Sequence, residues 1–359
     1  MGRALLYEPM RVVLADPPAY TPPYDHALAS ALAQAGLEVE LVTSRFRFGP
    51  VPEADGYTVH EWFYPLSSRL HGSRARLAVK ALEHPFGLAR LAAAKPDVVH
   101  LQWAGAPEVD AWLLRARAPL VFTAHDLLPR RTAARIRVWQ RLFDRFDRIV
   151  VHTESGRRAL LDFGVHGSKL RVIHHPVMRS DPQRRDDSRT ALALGTIRAY
   201  KGLGDSIEAV RRVQGARLLV AGDPREPLDG YRAAAGDRAE WRLGYLSTAE
   251  LERALGEATV ALFPYRAELD QSGALLQVLG AGVPAIVYDV GGLAEPVRAY
   301  GAGRVVPGGD VDALAAALDE LLREARALEA ARAGALRARD ELTWTGAAAA
   351  HLAVYREVA

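Results

Sequence analysis

Val260-Ala261-Leu262-Phe263-Pro264, Gln271-Ser272-Gly273, the apolar stretch Ala274–Ala281, Gly282-Val283-Pro284 and Ala285-Ile286-Val287-Tyr288-Asp289 read as strand, capped helix and strand. Short β-branched runs on either side of a helical segment are the pattern of parallel strands joined by a crossover helix, as in a βαβ unit. Ser272 and Gly273 suit the start of that helix, leaving its first N–H groups open to an anion or a sugar hydroxyl. The second strand runs into Gly291-Gly292-Leu293-Ala294-Glu295, another glycine-rich helix start. Doubly wound sheets bind ligands outside the C-terminal ends of their strands, so two such starts in succession converge on one crevice. Taken singly, each is also compatible with ordinary turn chemistry.

The same alternation extends in both directions. Upstream of the quoted stretch, strands are predicted at Ala191–Gly195, Ala216–Ala221 and Trp241–Gly244. The first half gives strands at Arg11–Ala15, Glu38–Thr43, Val98–Gln102, Leu120–Ala124 and Arg148–His152. Helices fall between them at Asp25–Ala35, Arg74–Ala94, Pro107–Arg115 and Ala133–Phe146, with Pro107 suited to a first helical position and Gly36 and Gly164 to helix ends. The hydrophilic run Ser180–Thr190 reads as an interdomain linker. The fold class is therefore α/β, with two doubly wound halves at 1–179 and 191–341. An amphipathic final segment, Leu342–Val358, carries Trp344 and Tyr355 and should pack on something.

Three places after strands carry chemistry. In Gly195-Thr196-Ile197-Arg198-Ala199-Tyr200-Lys201-Gly202 an Arg and a Lys three apart sit in a glycine-flanked strand-to-helix turn, which aims backbone N–H groups and two cations at one spot and suits a pyrophosphate. Two solvated cations on a surface turn are the plainer reading. His125, in Thr123-Ala124-His125-Asp126, stands at a strand end within reach of a crevice, although a lone His is more often packed or solvated. Asp16-Pro17-Pro18-Ala19-Tyr20-Thr21-Pro22-Pro23-Tyr24-Asp25-His26 is too proline-rich for a tight phosphate loop and reads as a rigid, shaped acceptor loop.

Composition and missing motifs exclude several classes. The 359 residues are 49% hydrophobic and 25% charged, a globular balance that leaves out disordered and collagenous chains. No cysteine is present, so disulfides, thiolate metal sites and cysteine nucleophiles are excluded, and a cytosolic setting is compatible. No signal peptide and no apolar stretch of membrane-spanning length is apparent. No G-x-G-x-x-G follows the first strand, no Walker A lysine occurs, and the 11 histidines form no H-E-x-x-H or dense ligand cluster. His174-His175 before Pro176 reads as structural.

Together these segments resemble the retaining glycosyltransferases of family 4, with a GT-B fold of two Rossmann-like domains facing a cleft. The likeness runs through Asp97-Val98-Val99-His100, Thr123-Ala124-His125-Asp126, Val151-His152-Thr153-Glu154-Ser155, Gly195 to Gly202, Ala221-Gly222-Asp223, Leu243-Gly244-Tyr245-Leu246-Ser247, Gln271-Ser272-Gly273 and Gly291-Gly292 to Glu295. The resemblance implies a nucleotide-sugar held mainly by the second domain, an acceptor held by the first, and 342–359 returning as a helix to the first. It implies that Arg198 and Lys201 hold the donor diphosphate and offset charge on the leaving nucleotide with no metal or other cofactor, and that His125 sits beside the transferred sugar. Gly195, Thr196, Ser272, Gly273 and Tyr245 would complete the donor site. Many members carry two Glu with seven residues between them; Leu269 and Gln277 stand there, so Gln277 would meet the ribose and recognition would shift to Glu268, Asp270 or Gln271. On the acceptor side the resemblance implies Tyr24, Asp25, His26 and Trp103, with Pro22-Pro23-Tyr24 replacing a glycine pair.

The expected activity is transfer of a sugar from an NDP-sugar, UDP before GDP, to a hydroxyl acceptor such as a glycolipid, glycan or secondary metabolite. A nucleotide-sugar epimerase is the alternative on the same fold, and a non-catalytic polyanion- or nucleic-acid-binding protein the alternative from another class. Residues 1–180 hold 24 Lys and Arg against 17 Asp and Glu, and the remainder 22 against 26. The basic bias thus belongs to one half, where it favours an anionic or lipid-linked acceptor, or the anionic inner face of a membrane, over nucleic acid. Arg-rich composition on solvated faces would give the same bias.

Overall fold

The computed structural model describes residues 9–47, 49–70, 75–128, 132–185, 187–266 and 271–359. Its contacts divide the chain into two units, Met1–His174 with Trp344–Ala359, and His175–Thr343.

Unit 1 is built on seven parallel strands, β1 (Arg11–Asp16), β2 (Glu38–Ser44), β3 (Thr58–Phe63), β4 (Val98–Leu101), β5 (Leu120–Thr123), β6 (Arg148–Val151) and β7 (Leu170–Val172), in the order β3-β2-β1-β4-β5-β6-β7. Unit 2 has six, β8 (Thr190–Leu194), β9 (Arg217–Gly222), β10 (Ala239–Leu243), β11 (Val260–Phe263), β12 (Ala285–Tyr288) and β13 (Gly303–Val306), in the order β10-β9-β8-β11-β12-β13. Helices separate most consecutive strands, so β4, β5, β11 and β12 are buried on both faces, and β11 and β12 read as continuous apolar runs. In each sheet the strand order reverses once, between β1 and β4 in unit 1 and between β8 and β11 in unit 2. The segments leaving those strands are where a doubly wound sheet opens a crevice.

The helix Gly273–Gly280 shows how the core is held. Leu275, Leu276, Val278 and Leu279 are fully buried against β11 and β12, each worth about 1.5–3 kcal/mol of removed apolar surface. Ser272 caps this helix, its Oγ accepting from Leu275 N.

Three features differ from the sequence reading. β3, β7 and β13, an edge strand of one sheet and two short terminal ones, were not predicted. Their residues are largely half-exposed or exposed, so they lack an apolar run. The polar run at 180–190 is not where the units part. The division falls at His174/His175, and the run packs on unit 2, where Arg184 donates to Ala281 O at the end of the Gly273–Gly280 helix and Arg185 N donates to Gly256 O. Charged residues there satisfy carbonyls that the helices leave unpaired. Finally, the proline-rich stretch after β1 is a loop only through Thr21. Pro22 opens a helix, Pro22–Gln34, because a first helical position has no N–H to lose. The last helix, Trp344–Arg356, packs on Pro22–Gln34 and buries Ala347, Ala348, His351 and Tyr355. Tyr355 also shares a 2.7 Å hydrogen bond with His100 Nδ1 on β4.

Candidate functional site

In unit 2 the expected donor residues gather at the reversal between β8 and β11. Gly195, at φ +103°, leaves β8 so close to its neighbours that a Cβ there would stand 3.2 Å from Lys201 Nζ and 3.4 Å from Ala274 Cβ. Gly222, closing β9, comes so near that its Cβ would fall 2.0 Å from Gly195 O. Lys201 ends a 3-10 turn, Ala199–Lys201, and its ammonium lies 5.2 Å from the Tyr265 ring centroid. Tyr265 is buried and its hydroxyl lies 3.2 Å from Ser272 Oγ. The turn cation and the aromatic ring therefore meet in one small pocket lined also by Thr196 and Arg198, and the Tyr265 hydroxyl links that pocket to the cap of the helix. Burial, and secondarily the Arg198 charge, pull the Lys201 ammonium below its usual range. An anion beside it would reverse that pull.

The remaining donor-side residues are more dispersed. Arg198 is exposed, and among the described residues neither it nor Lys201 has a carboxylate within 4 Å. Gln271 is half-buried and its Oε1 accepts from Ser272 N, and Gly273 begins the helix exposed. Gln277 is half-buried on the same helix. Tyr245 follows Gly244 at the end of β10, two strands from β8, with a mostly exposed ring. Glu268 and Asp270 lie outside the described residues.

In unit 1 the ends of β1, β4 and β5 bring His125, Trp103 and Tyr24 together. Trp103 stacks on His125 with ring centroids 5.3 Å apart and planes at 16°, while Tyr24 meets His125 edge-on at 4.6 Å. His125 Nε2 lies 3.0 Å from Gln102 Oε1 and its Nδ1 lies 3.2 Å from His152 Nε2. His152 in turn bonds Ile173 O through Nδ1 at 2.9 Å. Trp103 Nε1–H donates to Thr21 Oγ1 at 2.8 Å, tying the ring to the loop after β1.

Asp25 and His26, expected to face an acceptor, are buried in the first turns of Pro22–Gln34. His26 Nδ1 is engaged with Tyr57 OH at 2.6 Å. Asp25 faces Asp16, whose Oδ2 accepts from Tyr20 N at 2.7 Å and Thr21 N at 3.2 Å. Burial pushes the Asp16 carboxyl up to about 6, and burial together with the Asp16 charge pushes Asp25 well above the carboxylate range. The two acids act as one pair holding a proton, which fixes the loop carrying Thr21 beneath Trp103.

Sequence reasoning missed the supports. Asp205, buried in the first turn of the helix Leu203–Arg212, accepts from Arg266 Nε at 3.0 Å and Tyr288 OH at 3.1 Å, with Arg266 Nη2 on its other oxygen. Arg266 N also donates to Tyr200 O at 2.7 Å, so the segment after β11 holds the 198–202 turn. Gln102 and His152 were likewise not singled out as partners of His125. The only sequence signal was position, since each lies at or just beyond a strand end.

Two parallel sheets, each reversing its strand order once, define a two-unit α/β protein of the doubly wound kind. Residues 24–180 match the family described as Glycosyltransferase Family 4, and residues 188–324 match Glycosyl transferases group 1. D-inositol 3-phosphate glycosyltransferase of Mycobacterium marinum is 30% identical over 297 residues, covering 72% of this chain and 63% of that protein. The protein of the same name from Mycobacterium avium is 30% identical, with 72% and 69% covered. The chain thus spans less than two thirds of the M. marinum relative. Sucrose-phosphate synthase of Thermosynechococcus elongatus superposes with a TM-score of 0.76 at 19% identity, covering 97% of this chain and 98% of that one. Anabaena HepE in complex with UDP and glucose gives 0.71 at 13%, covering 97% and 100%. The fold is GT-B, and the chain belongs to family 4 of the glycosyltransferases.

Proposed function

We propose that this chain transfers a glycosyl group from a nucleoside-diphosphate sugar to a hydroxyl acceptor, with retention of anomeric configuration and without a metal. The observation that carries the reading is the seat of Lys201, whose ammonium lies beside Gly195 and the Ser272-capped helix at the β8/β11 reversal. A diphosphate at that reversal would meet two cations, Arg198 and Lys201, together with the N–H groups that open the helix, Gly273 N–H and Ala274 N–H. As the bond between the anomeric carbon and phosphate oxygen breaks, these groups would stabilise charge on the leaving nucleotide. The acceptor oxygen would bond the same face of the anomeric carbon and pass its proton to the departing phosphate. His125, Trp103 and Tyr24 of unit 1 are assigned to the acceptor and transferred sugar. UDP is preferred to GDP, in keeping with the UDP held by the HepE neighbour. The relatives named for D-inositol 3-phosphate support a polyol as one acceptor class.

The expected setting is the cytoplasm, with contact to an anionic membrane face. Among the described residues no helix is long and apolar enough to cross a membrane. Leu77, Leu82 and Phe86 are exposed on the helix Ala75–Ala93 beside Arg76 and Arg90, which supports peripheral contact.

A panel of UDP- and GDP-sugars tests the assignment. Donor binding should raise the melting temperature, and slow hydrolysis should release the nucleotide. With an acceptor, NMR of the product should show the anomeric configuration of the donor. No stabilisation and no nucleotide release with any donor would overturn the reading; nucleic-acid affinity with salt dependence and no turnover would replace it.

A further inference from the structure

A second concave site lies in unit 1, beyond the groups around His125. Where β2 ends at Ser44, the chain continues Arg45-Phe46-Arg47 along a cavity of about 330 Å³. The opposite wall comes from the start of the helix Ala75–Ala93, which contributes Arg76 and Lys80, with Ser67 and Ser68 between. Four cations thus surround a volume large enough for a small ligand. Among the described residues, none of the four has a carboxylate within 4 Å. The nearby acids are already engaged: Glu83 accepts from Leu66 N at 2.6 Å and Ser67 N at 3.0 Å, and Asp110 accepts from Ala106 N and pairs with His84.

The arrangement runs against what folding alone favours. Arg76 and Lys80 are like charges at i,i+4, and they occupy the positive end of a helix that has no acid in its first turn. Lys80 Nζ sits 4.4 Å from the Tyr64 ring centroid, and burial and then Arg76 lower its pKa. Arg47 is lowered by burial and by Arg76 and Arg45. The backbone is strained at the same place. Of the described non-glycine residues, three have φ in the left-handed region, and two of those, Ala19 (φ +53°) and Tyr64 (φ +57°), line this cavity. Tyr64 is held there by a 2.7 Å bond from its hydroxyl to His84 Nδ1, with His84 Nε2 on Asp110 at 2.6 Å. Strain and unneutralised charge concentrated in one cavity mark a ligand site in preference to a solvated face.

We propose that the cavity walled by Arg45, Arg47, Arg76 and Lys80 binds the phosphate monoester of the acceptor. Guanidinium groups match a phosphate dianion through paired N–H bonds, and the ammonium over Tyr64 adds a point charge. The word acceptor rests on the transferase reading above; the anion site itself does not. The phosphate could belong to a soluble phosphorylated polyol or sugar, or to a phospholipid headgroup.

Calorimetric titration with D-inositol 3-phosphate and with myo-inositol, and co-sedimentation with phosphatidylcholine vesicles with and without phosphatidic acid, test it on the full chain. The wild type should bind the member of one pair that carries a phosphate monoester and not its net-neutral counterpart. The double variant Arg45→Ala/Arg76→Ala, at exposed positions, should weaken that binding about tenfold or more. Arg117→Ala/Arg137→Ala, equally exposed on unit 1, should leave it unchanged. Binding of the soluble ester identifies a soluble acceptor, and capture only by phosphatidic acid vesicles identifies a lipid headgroup. Equal weakening by the two double variants, or no preference for phosphate in either pair, would overturn the site. Phosphate binding in a protein that hydrolyses no donor would leave the site standing and remove the transferase reading.

Discussion

Arg266 closes a two-point ion pair on the buried carboxylate of Asp205, 61 residues away in sequence, and joins the segment after β11 to the helix that follows β8. The same carboxylate accepts from Tyr288 OH at the end of β12, so one acid ties three consecutive strand ends together. Asp205→Ala should therefore leave a buried tyrosine hydroxyl unpaired and cost about 1–3 kcal/mol. Urea unfolding should show a lower midpoint at an unchanged slope. Asp205→Asn, which keeps an acceptor for Tyr288, should recover much of the loss. A midpoint in Asp205→Ala equal to wild type would contradict this bracing role.

Gly202 stands at φ +69°, and a Cβ there would fall 2.0 Å from Pro264 O. Backbone, not a movable side chain, blocks the space. Gly202→Ala should destabilise unit 2 by about 2 kcal/mol or more and raise the donor KM, because the 198–202 turn must withdraw from Pro264. Thermal melting and donor titration measure the two effects.

Lys201 separates stability from activity. The side chain is half-buried, its ammonium without an ion pair among the described residues, so Lys201→Met should melt at the same temperature as the ligand-free wild type or higher. Transfer should fall by about a hundredfold or more. Because its pKa is lowered in the folded state, the wild type should gain stability relative to Lys201→Met as pH rises through the folded pKa toward the unfolded one, near 10.5. A variant that loses stability along with activity would point to a structural role instead.

The Asp16–Asp25 pair gives unit 1 a pH signature. Folding raises the Asp16 pKa from 3.8 to about 6, so the folded chain binds the proton more tightly than the unfolded chain. This contribution is fully present below about 4 and is lost as pH climbs through 6, lowering stability by on the order of 2 kcal/mol across that window. Asp16→Asn keeps an acceptor for Tyr20 N and Thr21 N and should flatten the decline. Unfolding free energies measured at intervals between pH 4 and 7 decide it; parallel curves for the two proteins would exclude the effect.

What the sequence disclosed follows from the range of the interactions. Strand cores such as Val260–Phe263, the cap at Ser272 and the glycine turns at Gly195 and Gly202 are local and written in neighbouring residues. Edge strands such as Thr58–Phe63 mix Thr, His and Glu with Trp and Phe because much of their surface meets solvent, and alternation fades. The pairings that shape the sites join distant positions: Asp205 with Arg266, His125 with His152, Arg45 and Arg47 with Arg76 and Lys80. No spacing rule signals them, since topology alone decides which loop meets which helix. The charge imbalance of the first half was visible as composition, but that it encloses a cavity was not.

The final helix, Trp344–Arg356, is the last-made wall of the first-made unit. His100 on β4 is synthesised 255 residues before Tyr355 reaches it, and the helix Pro22–Gln34 earlier still. Unit 2, a continuous stretch from His175 to Thr343, can close its core as it emerges, whereas unit 1 must wait with an apolar face uncovered. Order of synthesis and order of completion are thus inverted, and the interval before the C-terminal helix arrives is when the nascent chain most needs protection from association.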